Sequence, residues 1–349
     1  ASNTSGAQTY TSAVGLLQNN QYEQPQQVQE AANILFGLSG NNENFLLEFD
    51  VALKSILLNA PLDHDLNIYI MADDKAYQAM DQVFNRTGIL AWKTRRQVTM
   101  ETFNVQSHLT TWKQKVAQLF NGYSDSGHTI GAWFRLFAHE ILPSNVKSVI
   151  YVDTDLVFVA NVWEVWRLID RTQYLFQWGA DHMCAGFILL HIDQIERIWE
   201  LAAPLDLNTM AKSLKQKWND QLVFKAINVS YPEKVGNLPI AWDFSVGHIW
   251  QYHKKPGPFA HLVPHNSSSQ IVGHRPEVGM MHYNGYHSQP YYRDHPFVTS
   301  EARKDTWGLP AIYYSKLPWT WAKYVAASTI GSNGGYPIQT SYYNNQSIV

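Results

Sequence analysis

The amino-acid sequence predicts an α/β fold with a Rossmann-like, doubly wound and mainly parallel sheet. Short apolar runs typical of buried strands alternate with segments whose apolar residues recur at helical spacing. Strands and helices that alternate in this way form a parallel sheet covered by helices on both faces. One apolar run, residues 148–152, leads directly into two carboxylates, Asp153 and Asp155. Ligands of such sheets bind beyond the carboxyl ends of the strands, so these two residues are the first candidates for a functional site.

Each predicted element follows from its residue types. Runs rich in β-branched and aromatic residues indicate strands, and apolar residues spaced about three or four apart indicate helices. Beyond residue 238 the pattern is less regular, and from residue 250 onwards the chain is rich in His, Pro, Tyr and Trp. The predicted elements are strand 32–40 with its terminal turn, helix 45–58, strand 66–71, helix 76–84, strand 97–103, helices 108–120 and 130–141, strand 148–152, helix 162–169, strands 173–178 and 186–190, and helices 195–201, 210–218 and 220–228.

The two ends of the chain differ in composition from its middle. Residues 1–28 are rich in Ser, Thr, Asn and Gln and have little apolar periodicity, which indicates a stem or flexible linker. We expect one globular domain over residues 29–325 and a C-terminal tail over residues 326–349. The chain begins at Ala1 without a signal peptide, as a protein trimmed of its targeting segment would.

Composition narrows the classes of partner. The 349 residues carry a net charge of −3 and no run of Lys or Arg, which argues against binding to nucleic acid or to a membrane surface. A small molecule or a glycan is the expected partner. The single cysteine, Cys184, excludes an intrachain disulfide, and no apolar run approaches the roughly 20 residues of a membrane span. Five N-x-S/T sequons give modest support for a secretory compartment. They begin at Asn3, Asn85, Asn228, Asn266 and Asn345.

Asp153 and Asp155 admit two interpretations. A buried strand does not normally end on two anions, because each desolvated carboxylate costs several kcal/mol unless a cation or hydrogen-bond donors meet it. A divalent metal that is held by oxygen ligands and bridges a polyphosphate would meet this requirement. Alternatively, one Asp is an N-cap or a turn residue after the strand, which explains one carboxylate more readily than two. The spacing alone leaves both interpretations open.

Six short motifs occur in an order that resembles glycosyltransferase family 8, whose members have the GT-A fold and use nucleotide sugars. The likeness covers about residues 32–295, and the Asp-Thr-Asp form followed by Trp163 is most similar to the xylosyltransferase branches. The motifs are Trp-Phe-Arg-Leu-Phe-Ala-His-Glu-Ile-Leu-Pro at 133–143, Val-Ile-Tyr-Val-Asp-Thr-Asp at 149–155, Cys-Ala-Gly-Phe-Ile-Leu-Leu at 184–190, Trp-Asn-Asp-Gln at 218–221, Leu-Pro-Ile-Ala-Trp-Asp at 238–243 and Met-His-Tyr-Asn-Gly at 281–285.

The resemblance implies a retaining transferase that moves a sugar from a UDP-sugar to a glycan or glycoprotein acceptor. It implies that Asp153, Asp155 and His282 bind Mn²⁺, and two carboxylates with one imidazole suit such a borderline cation. Gly285, in the same motif as His282, is expected to contact the donor. The globular domain would then be a GT-A catalytic domain. The implied location is the Golgi or another secretory lumen, with any membrane contact made through an absent N-terminal anchor, and the alternative is the cytoplasm.

Three further residues match the family's motifs. Asp220 and Gln221 would lie beside the anomeric carbon and the acceptor, and Arg135 would face the sugar or the phosphate. Structural roles are also open for two of them. Asn219 or Asp220 is a candidate N-cap of the following helix, and Arg135 is a candidate partner for Glu140 or another acid.

Four polar residues at strand ends are placed by topology alone. Ser39 and Asn41 follow the first predicted strand, and Asp73 and Asp74 follow the second. Because the carboxyl ends of parallel strands meet at one edge of the sheet, we expect this group beside the uracil or the ribose.

Two departures from the family pattern bear on the donor. Cys184 stands where the family usually has Asn, and Ser288 stands where it usually has Lys, so His287 or Arg293 would have to supply a diphosphate contact if there is one. These departures also suggest an alternative of a different class, a carbohydrate-binding protein without catalysis on this scaffold.

We expect UDP-xylose as donor over UDP-glucose and UDP-galactose. The Asp-Thr-Asp motif with Trp163 resembles the xylosyl branches, and Cys184 lacks an amide that could hold additional sugar hydroxyls. Bulky residues could also exclude a hexose by filling the C5 side of the pocket. The candidates for this role are Trp178, Met183 and Trp242, although each is equally consistent with a core position.

Overall fold

The structure is a computed structural model. It describes residues 31–60, 64–87, 98–120, 130–170, 172–179, 184–239, 242, 244–245 and 279–283. The proposed stem, the C-terminal tail, Gly285, Met183, His287, Ser288 and Arg293 lie outside the described residues, so the predictions about them and about the domain boundaries stay predictions.

Strands and helices alternate along the described chain as far as β4, and the order is less regular after it. The strands are β1 (Ala32–Leu38), β2 (Leu66–Ala72), β3 (Val98–Asn104), β4 (Ser148–Val152), β5 (Leu156–Phe158), β6 (Phe176–Gly179), β7 (Phe187–His191), β8 (Val235–Leu238), β9 (Phe244–Ser245) and β10 (Met280–His282). The α-helices are α1 (Glu43–Asn59), α2 (Asp74–Thr87), α3 (Leu109–Leu119), α4 (Val162–Trp166), α5 (Ile195–Ala202), α6 (Leu207–Ser213) and α7 (Asp220–Ser230). Segments Gln106–His108, Ile130–Glu140, Ile192–Gln194 and Pro232–Lys234 are 3₁₀ helices.

The main sheet has seven strands in the order β3-β2-β1-β4-β7-β6-β8. Strands β3, β2, β1 and β4 are parallel, β7 is antiparallel to β4 and β6, and β8 is parallel to β6. The prediction of a mainly parallel, doubly wound sheet is therefore confirmed. Strands β2 and β3 lie on one side of β1 and β4 lies on the other, so the direction of winding reverses at the boundary between β1 and β4. A crevice opens beyond the strand ends at such a point, and it is the usual ligand site of these sheets.

A second, three-stranded sheet in the order β5-β10-β9 continues from the first. Strand β5 begins at Leu156, immediately after Asp155, and pairs antiparallel with β10 so that Leu156 faces His282. Strand β9 pairs parallel with β10 on its other side. This small sheet brings a segment distant in sequence to the end of β4.

The central strands are apolar on both faces, as strands between two helical layers must be. Ile34, Phe36 and Ile150 point into one core with α1, α2 and α4. Leu35 and Tyr151 point into the other with α3, the 3₁₀ helix 130–140 and α5 to α7. Successive side chains of a strand alternate between faces, so each strand contributes to both cores.

Helix α1 supports the second sheet from behind. It begins after Asn42, whose side chain accepts a hydrogen bond from the Asn44 N–H at 2.9 Å. On its buried side the Ser55 hydroxyl oxygen accepts the Phe158 N–H at 2.9 Å, and the Asn59 amide donates to the Phe158 carbonyl at 3.1 Å. Polar contacts of this kind fix β5 relative to the helix more precisely than apolar packing would, because each satisfies a specific buried group.

The segment Ile130–Glu140 is a 3₁₀ helix, whereas the sequence predicts an α-helix over residues 130–141. Residues 133–138 are all buried, so the segment is surrounded by protein. Hydrophobic periodicity then carries no information about the number of residues per turn. Long 3₁₀ helices are uncommon, which is a second reason why the sequence does not predict one.

Other differences concern element ends. The predicted helix 210–218 is wrong at its C-terminus, because α6 ends at Ser213 and Lys215 takes the left-handed conformation with φ of 50°. Strand β6 begins three residues later than predicted, and α4 is shorter than the predicted helix 162–169. Strand β8 has no predicted counterpart, since Val235 is the only strong strand former among its four residues, and Gly236 and Asn237 are of types depleted in strands. Within the described part of the chain, none of the helices combines the length and the apolar composition needed to cross a bilayer.

Candidate metal and donor site

Three candidate ligands lie together at the end of β4. Asp153 and Asp155 belong to the turn between β4 and β5, and His282 is the last residue of β10. Antiparallel pairing of β10 with β5, extended by a hydrogen bond from the Tyr283 N–H to the Asp155 carbonyl at 2.9 Å, sets the position of the imidazole. One ligand atom of each residue lies within 4.8 Å of the other two. The His282 Nε2 is 3.4 Å from Asp155 Oδ1.

Gly186 allows these side chains to approach the backbone. A Cβ at this position would lie 2.7 Å from the His282 imidazole and 2.8 Å from an Asp153 carboxylate oxygen. The Gly186 carbonyl also accepts the Asp153 N–H at 2.8 Å, which fixes the carboxylate beside it. The donors are two carboxylates and one imidazole, a combination that suits Mn²⁺. The residues present therefore fit the metal that the resemblance implies.

Arg135 is the buried cation of the site. Its side chain is 1% exposed, and its Nη2 donates to Asp153 Oδ1 at 2.9 Å. Its Nε donates to the Ala132 carbonyl at 2.9 Å and lies 3.2 Å from Asp220 Oδ2. The guanidinium carbon stands 3.8 Å from the centre of the Tyr151 ring, a cation–π geometry. Arg135 thus connects the 3₁₀ helix 130–140 to both the end of β4 and the start of α7.

Of the two structural alternatives for Arg135, pairing with Glu140 is wrong. Glu140 accepts a hydrogen bond from the Trp112 indole N–H at 2.8 Å instead. The other alternative, pairing with another acid, describes the structure, since two acids flank the guanidinium. Both partners are candidate site residues, so the ion pair does not exclude the functional role. Arg135 Nη1 has no hydrogen-bond partner among the residues that the structure describes.

Burial and charge act together on the titratable groups here. Burial by itself lowers the pKa of Arg135, but the carboxylates of Asp153 and Asp220 raise it above its ordinary value. The guanidinium is therefore charged at every relevant pH. Burial also raises the pKa of the Tyr151 phenol well above its usual range, although the Arg135 charge lowers it. Tyr151 is consequently a neutral ring beneath the cation.

Asp220 and Gln221 open helix α7 beside this pair. Asn219 is the N-cap, because its side chain accepts the Leu222 N–H at 3.1 Å. Asp220 is only 4% exposed and faces Arg135. The Gln221 Oε1 accepts the Ala185 N–H at 3.4 Å, so this side chain lies against the turn that contains Gly186. The structure therefore brings Gln221 to the same edge of the sheet as the ligand triad.

The strand-end residues at β1 and β2 form a connected loop. The Asp73 carboxylate accepts hydrogen bonds from the Ser39 hydroxyl at 2.7 Å, the Gly40 N–H at 2.8 Å and the Ala76 N–H at 2.9 Å. It joins the end of β1 to the end of β2 and caps α2. Asn41 is exposed at the same edge. A contact of Ser39, Asn41 or Asp73 with the nucleotide stays a prediction, but Asp73 already has three partners that keep this loop in place.

Asp74, the fourth strand-end residue, is exposed and accepts a hydrogen bond from the Asn104 side chain at 2.8 Å. This contact ties the start of α2 to the end of β3. The geometry gives Asp74 a structural role at the edge of the crevice.

Glu48 is a buried acid that the sequence argument missed. It lies on α1, is 7% exposed and is hydrogen-bonded to Thr154, the residue between the two aspartates. Burial, and then the charge of Asp155, raise the pKa of Glu48 to about 8, against the effect of the Thr154 hydrogen bond. The signal in the sequence is an acidic residue among the apolar positions of a buried helix face.

The residues considered for donor selection differ in position. Trp178 is fully buried and packs on Phe176 and Phe224, so it is a core residue. Trp242 is 5% exposed and belongs to the core on the opposite face of the sheet. Cys184 is half-buried and lies close enough to Arg135 to contribute to the raised pKa of its guanidinium, which places it at the site.

Sequence comparison assigns the chain to a family. A sequence profile described as "Glycosyl transferase family 8" matches residues 34–290, a range that includes the ligand triad, Arg135, Asp220 and Gln221. The chain belongs to glycosyltransferase family 8. The resemblance drawn from the six motifs is thereby confirmed, and the chain is a glycosyltransferase by family.

Curated relatives of this family 8 chain have low identity to it. Xylosyl- and glucuronyltransferase LARGE2 of Mus musculus is 29% identical over 138 residues, which cover 31% of this chain and 19% of the relative. Xylosyl- and glucuronyltransferase LARGE1 of Homo sapiens is 24% identical over 219 residues, which cover 55% of this chain and 27% of the relative. The family 8 chain thus matches a minor part of the length of these relatives.

Two solved structures share its fold. Mouse Xyloside xylosyltransferase 1 in its apo form aligns with a TM-score of 0.53 and 15% identity, over 73% of this chain and 97% of that chain. Galactosyltransferase LgtC, in complex with donor and acceptor sugar analogs, aligns with a TM-score of 0.50 and 13% identity, over 86% of this chain and 96% of that chain. At such identities the likeness concerns the fold, and it confirms the GT-A architecture predicted for this family 8 chain.

Gly186→Ala should weaken Mn²⁺ binding by about 10- to 100-fold, because the added methyl group would separate His282 from Asp153. Calorimetric titration with Mn²⁺ in the presence of UDP measures the effect. Gly236→Ala in strand β8 is the matched control. Its added Cβ would lie 2.5 Å from the Gln177 side chain instead of contacting the candidate metal ligands. Equal metal affinity in Gly186→Ala and the unmodified chain would contradict the assignment.

Proposed function

We propose that the chain transfers a sugar, for which we favour xylose, from a UDP-sugar to a glycan or glycoprotein acceptor with retention of configuration and with Mn²⁺ as cofactor. The observation that carries the proposal is the convergence of Asp153, Asp155 and His282 within 4.8 Å at the end of β4. This position is beside the winding reversal of the sheet in a family 8 chain. A set of residues that can hold a divalent cation suits the binding of a nucleotide-diphosphate donor better than it suits carbohydrate binding without a metal.

Each part of the site has a task in this reaction. A divalent cation held by Asp153, Asp155 and His282 would stabilise the charge that develops on the departing UDP. Arg135 holds Asp153 by a hydrogen bond of 2.9 Å, so that carboxylate has one orientation before the metal arrives. Arg135 Nη1, which has no partner among the described residues, is a buried donor suited to an oxygen of the sugar or the phosphate.

Gln221 is the residue best placed to face the reacting carbon. Asp220 is 4% exposed and faces the Arg135 cation, so its carboxylate is poorly available as a nucleophile. Gln221 is partly exposed at the same helix start, and its amide carbonyl is directed to the edge of the sheet. A carbonyl oxygen there would stabilise positive charge on the sugar ring from the face opposite UDP. Retention itself rests on the family resemblance.

Two observations support xylose as the donor sugar, namely the names of the relatives and the presence of Cys184 where the family usually has Asn. The relatives are named as xylosyl- and glucuronyltransferases, and one structural neighbour is named as a xyloside xylosyltransferase. The half-buried Cys184 replaces an amide that could hold further hydroxyls. Among the aromatic candidates Trp178 is committed to the core, so exclusion of a hexose would fall to other residues. UDP-glucose and UDP-galactose are the alternatives within the family.

We place the protein in the Golgi or another secretory lumen. The five sequons in the chain support this compartment, as do relatives whose names describe transfer of xylose and glucuronic acid. Cytoplasmic location is the alternative, and occupied sequons in the mature protein would exclude it.

Asp155→Asn should weaken UDP binding in Mn²⁺ by about 100-fold or more, because one charged metal ligand is lost without a change in side-chain volume. Binding is measured by calorimetry in Mn²⁺ and in EDTA, with thermal unfolding as a check on the fold. Asp193→Asn, at an exposed aspartate after β7, is the control and should bind UDP normally. If the unmodified chain bound UDP equally in Mn²⁺ and in EDTA, the proposed metal site would be wrong.

With Mn²⁺ and a panel of donors, the chain should release UDP from UDP-xylose about 10-fold or more faster than from UDP-glucose or UDP-galactose, because the lost amide and steric exclusion both disfavour the larger sugar. Coupled detection of UDP measures the rates. A faster reaction with either hexose would overturn the choice of donor and leave the transferase standing. Glycan binding without release of UDP from any donor would favour the non-catalytic alternative.

The transferred sugar should keep the anomeric configuration that it has in the donor. The expectation follows from the resemblance to glycosyltransferase family 8, whose members of this type retain the configuration of the donor sugar. The coupling constant of the anomeric proton in the NMR spectrum of the product reports the configuration. An inverted linkage would remove the retaining mechanism.

A further inference from the structure

We infer that Gln216 and Lys225 are positioning residues that hold the Gln221 amide in its catalytic orientation. The inference rests on the proposed function, and it concerns two residues outside the motifs of the family. Gln221 and Lys225 are four residues apart on α7, so they share one face of the helix. Gln216 approaches that face from the segment between α6 and α7.

The three side chains form a continuous hydrogen-bonded chain. The Lys225 ammonium donates to Gln216 Oε1 at 2.9 Å, and the Gln221 amide nitrogen donates to the same oxygen at 3.3 Å. The Gln216 amide nitrogen donates to the Asn219 side chain at 3.3 Å. At the far end the Ala185 N–H donates to Gln221 Oε1 at 3.4 Å. The chain therefore runs from a charged lysine to the turn beside the metal ligands.

The donor and acceptor types fix the orientation of both amides. An ammonium and a backbone N–H can only donate, so the oxygen of Gln216 must face Lys225 and the oxygen of Gln221 must face Ala185. The nitrogen of Gln221 is then left for the oxygen of Gln216. A flip of either amide would bring two donors together. The Gln221 carbonyl thus has one orientation, and Lys225 sets it through Gln216.

A left-handed turn of the backbone at Lys215 directs Gln216 towards α7. Lys215 has φ of 50°, the left-handed region that favours glycine, and it is the only such non-glycine residue in the part of the chain that the structure describes. Gln216 N–H donates to the Ala211 carbonyl at 2.9 Å and Lys215 N–H to the Lys212 carbonyl at 3.3 Å, the two bonds of a Schellman motif. Strained conformations of this kind concentrate at functional sites.

Lys225 is held in the site against a desolvation cost. It is half-buried, and burial lowers its pKa, opposed by the neighbouring Cys184. A lysine with only a surface role would extend into water. Its position on the inner side of α7 is explained by the acceptor that Gln216 offers.

The test compares steady-state kinetics of the full chain with UDP-sugar and Mn²⁺. Gln216→Met and Lys225→Met keep the length of the side chain and remove its hydrogen bonds. Each should lower kcat by about 10- to 100-fold while the KM for the donor and the affinity for UDP change by less than about 3-fold. Lys225→Arg retains a donor and should recover most of the rate. Lys113→Met, at an exposed lysine of α3, is the control and should leave both constants unchanged.

The double variant separates positioning from general damage. Gln216→Met combined with Lys225→Met should be no slower than the worse single variant, because both act through one hydrogen-bonded chain. Three results would overturn this inference and leave the proposed function standing. They are an additive loss of rate in the double variant, a rise in KM as large as the fall in kcat, and single variants as fast as the unmodified chain. An unmodified chain without turnover on any donor, or a Gln221→Ala variant at full rate, would overturn the proposed function and this inference with it.

Discussion

The site depends on one buried cation between two carboxylates. A guanidinium that is 1% exposed is tolerated only because Asp153 and Asp220 compensate its charge, and loss of one partner of such a pair leaves a buried charge uncompensated. The three residues come from a 3₁₀ helix, the end of a central strand and the start of a helix. The charges are therefore balanced only when these three elements come together, and the same contact places Gln221 beside the candidate metal ligands.

Charge balance explains why the same place suits a divalent cation. Asp153, Asp155 and Asp220 supply three carboxylates against the single charge of Arg135. Glu48 adds little below its pKa of about 8, because burial and the charge of Asp155 keep it protonated. Ionised aspartates would leave a net charge of about −2, which one divalent cation neutralises. The protonated Glu48, which the sequence argument missed, thus helps to set the charge that a bound cation would meet.

The sequence is informative where a pattern is local and uninformative where a contact depends on packing. The apolar run before Asp153 and the alternation of elements are local, so the sheet and its strand-end carboxylates are predictable. The partner of Arg135 is not, because Glu140 is near in sequence but Asp153 and Asp220 are near in space. His282 lies on a three-residue strand, and only the family motif singles it out from fourteen histidines. The position of Gln216 is not predictable either, because a left-handed turn at Lys215 interrupts a segment whose apolar residues have helical spacing.

The polar groups at the two ends of the crevice differ in how many hydrogen bonds they make. At the β1 and β2 end the Asp73 carboxylate already accepts three hydrogen bonds, so this loop is rigid before any ligand binds. At the other end Arg135 Nη1 has no partner among the described residues. An unsatisfied buried donor costs about 1–3 kcal/mol. A ligand oxygen that meets it would recover that free energy, so discrimination among substrates should arise at the end of the crevice where Arg135 and Cys184 lie.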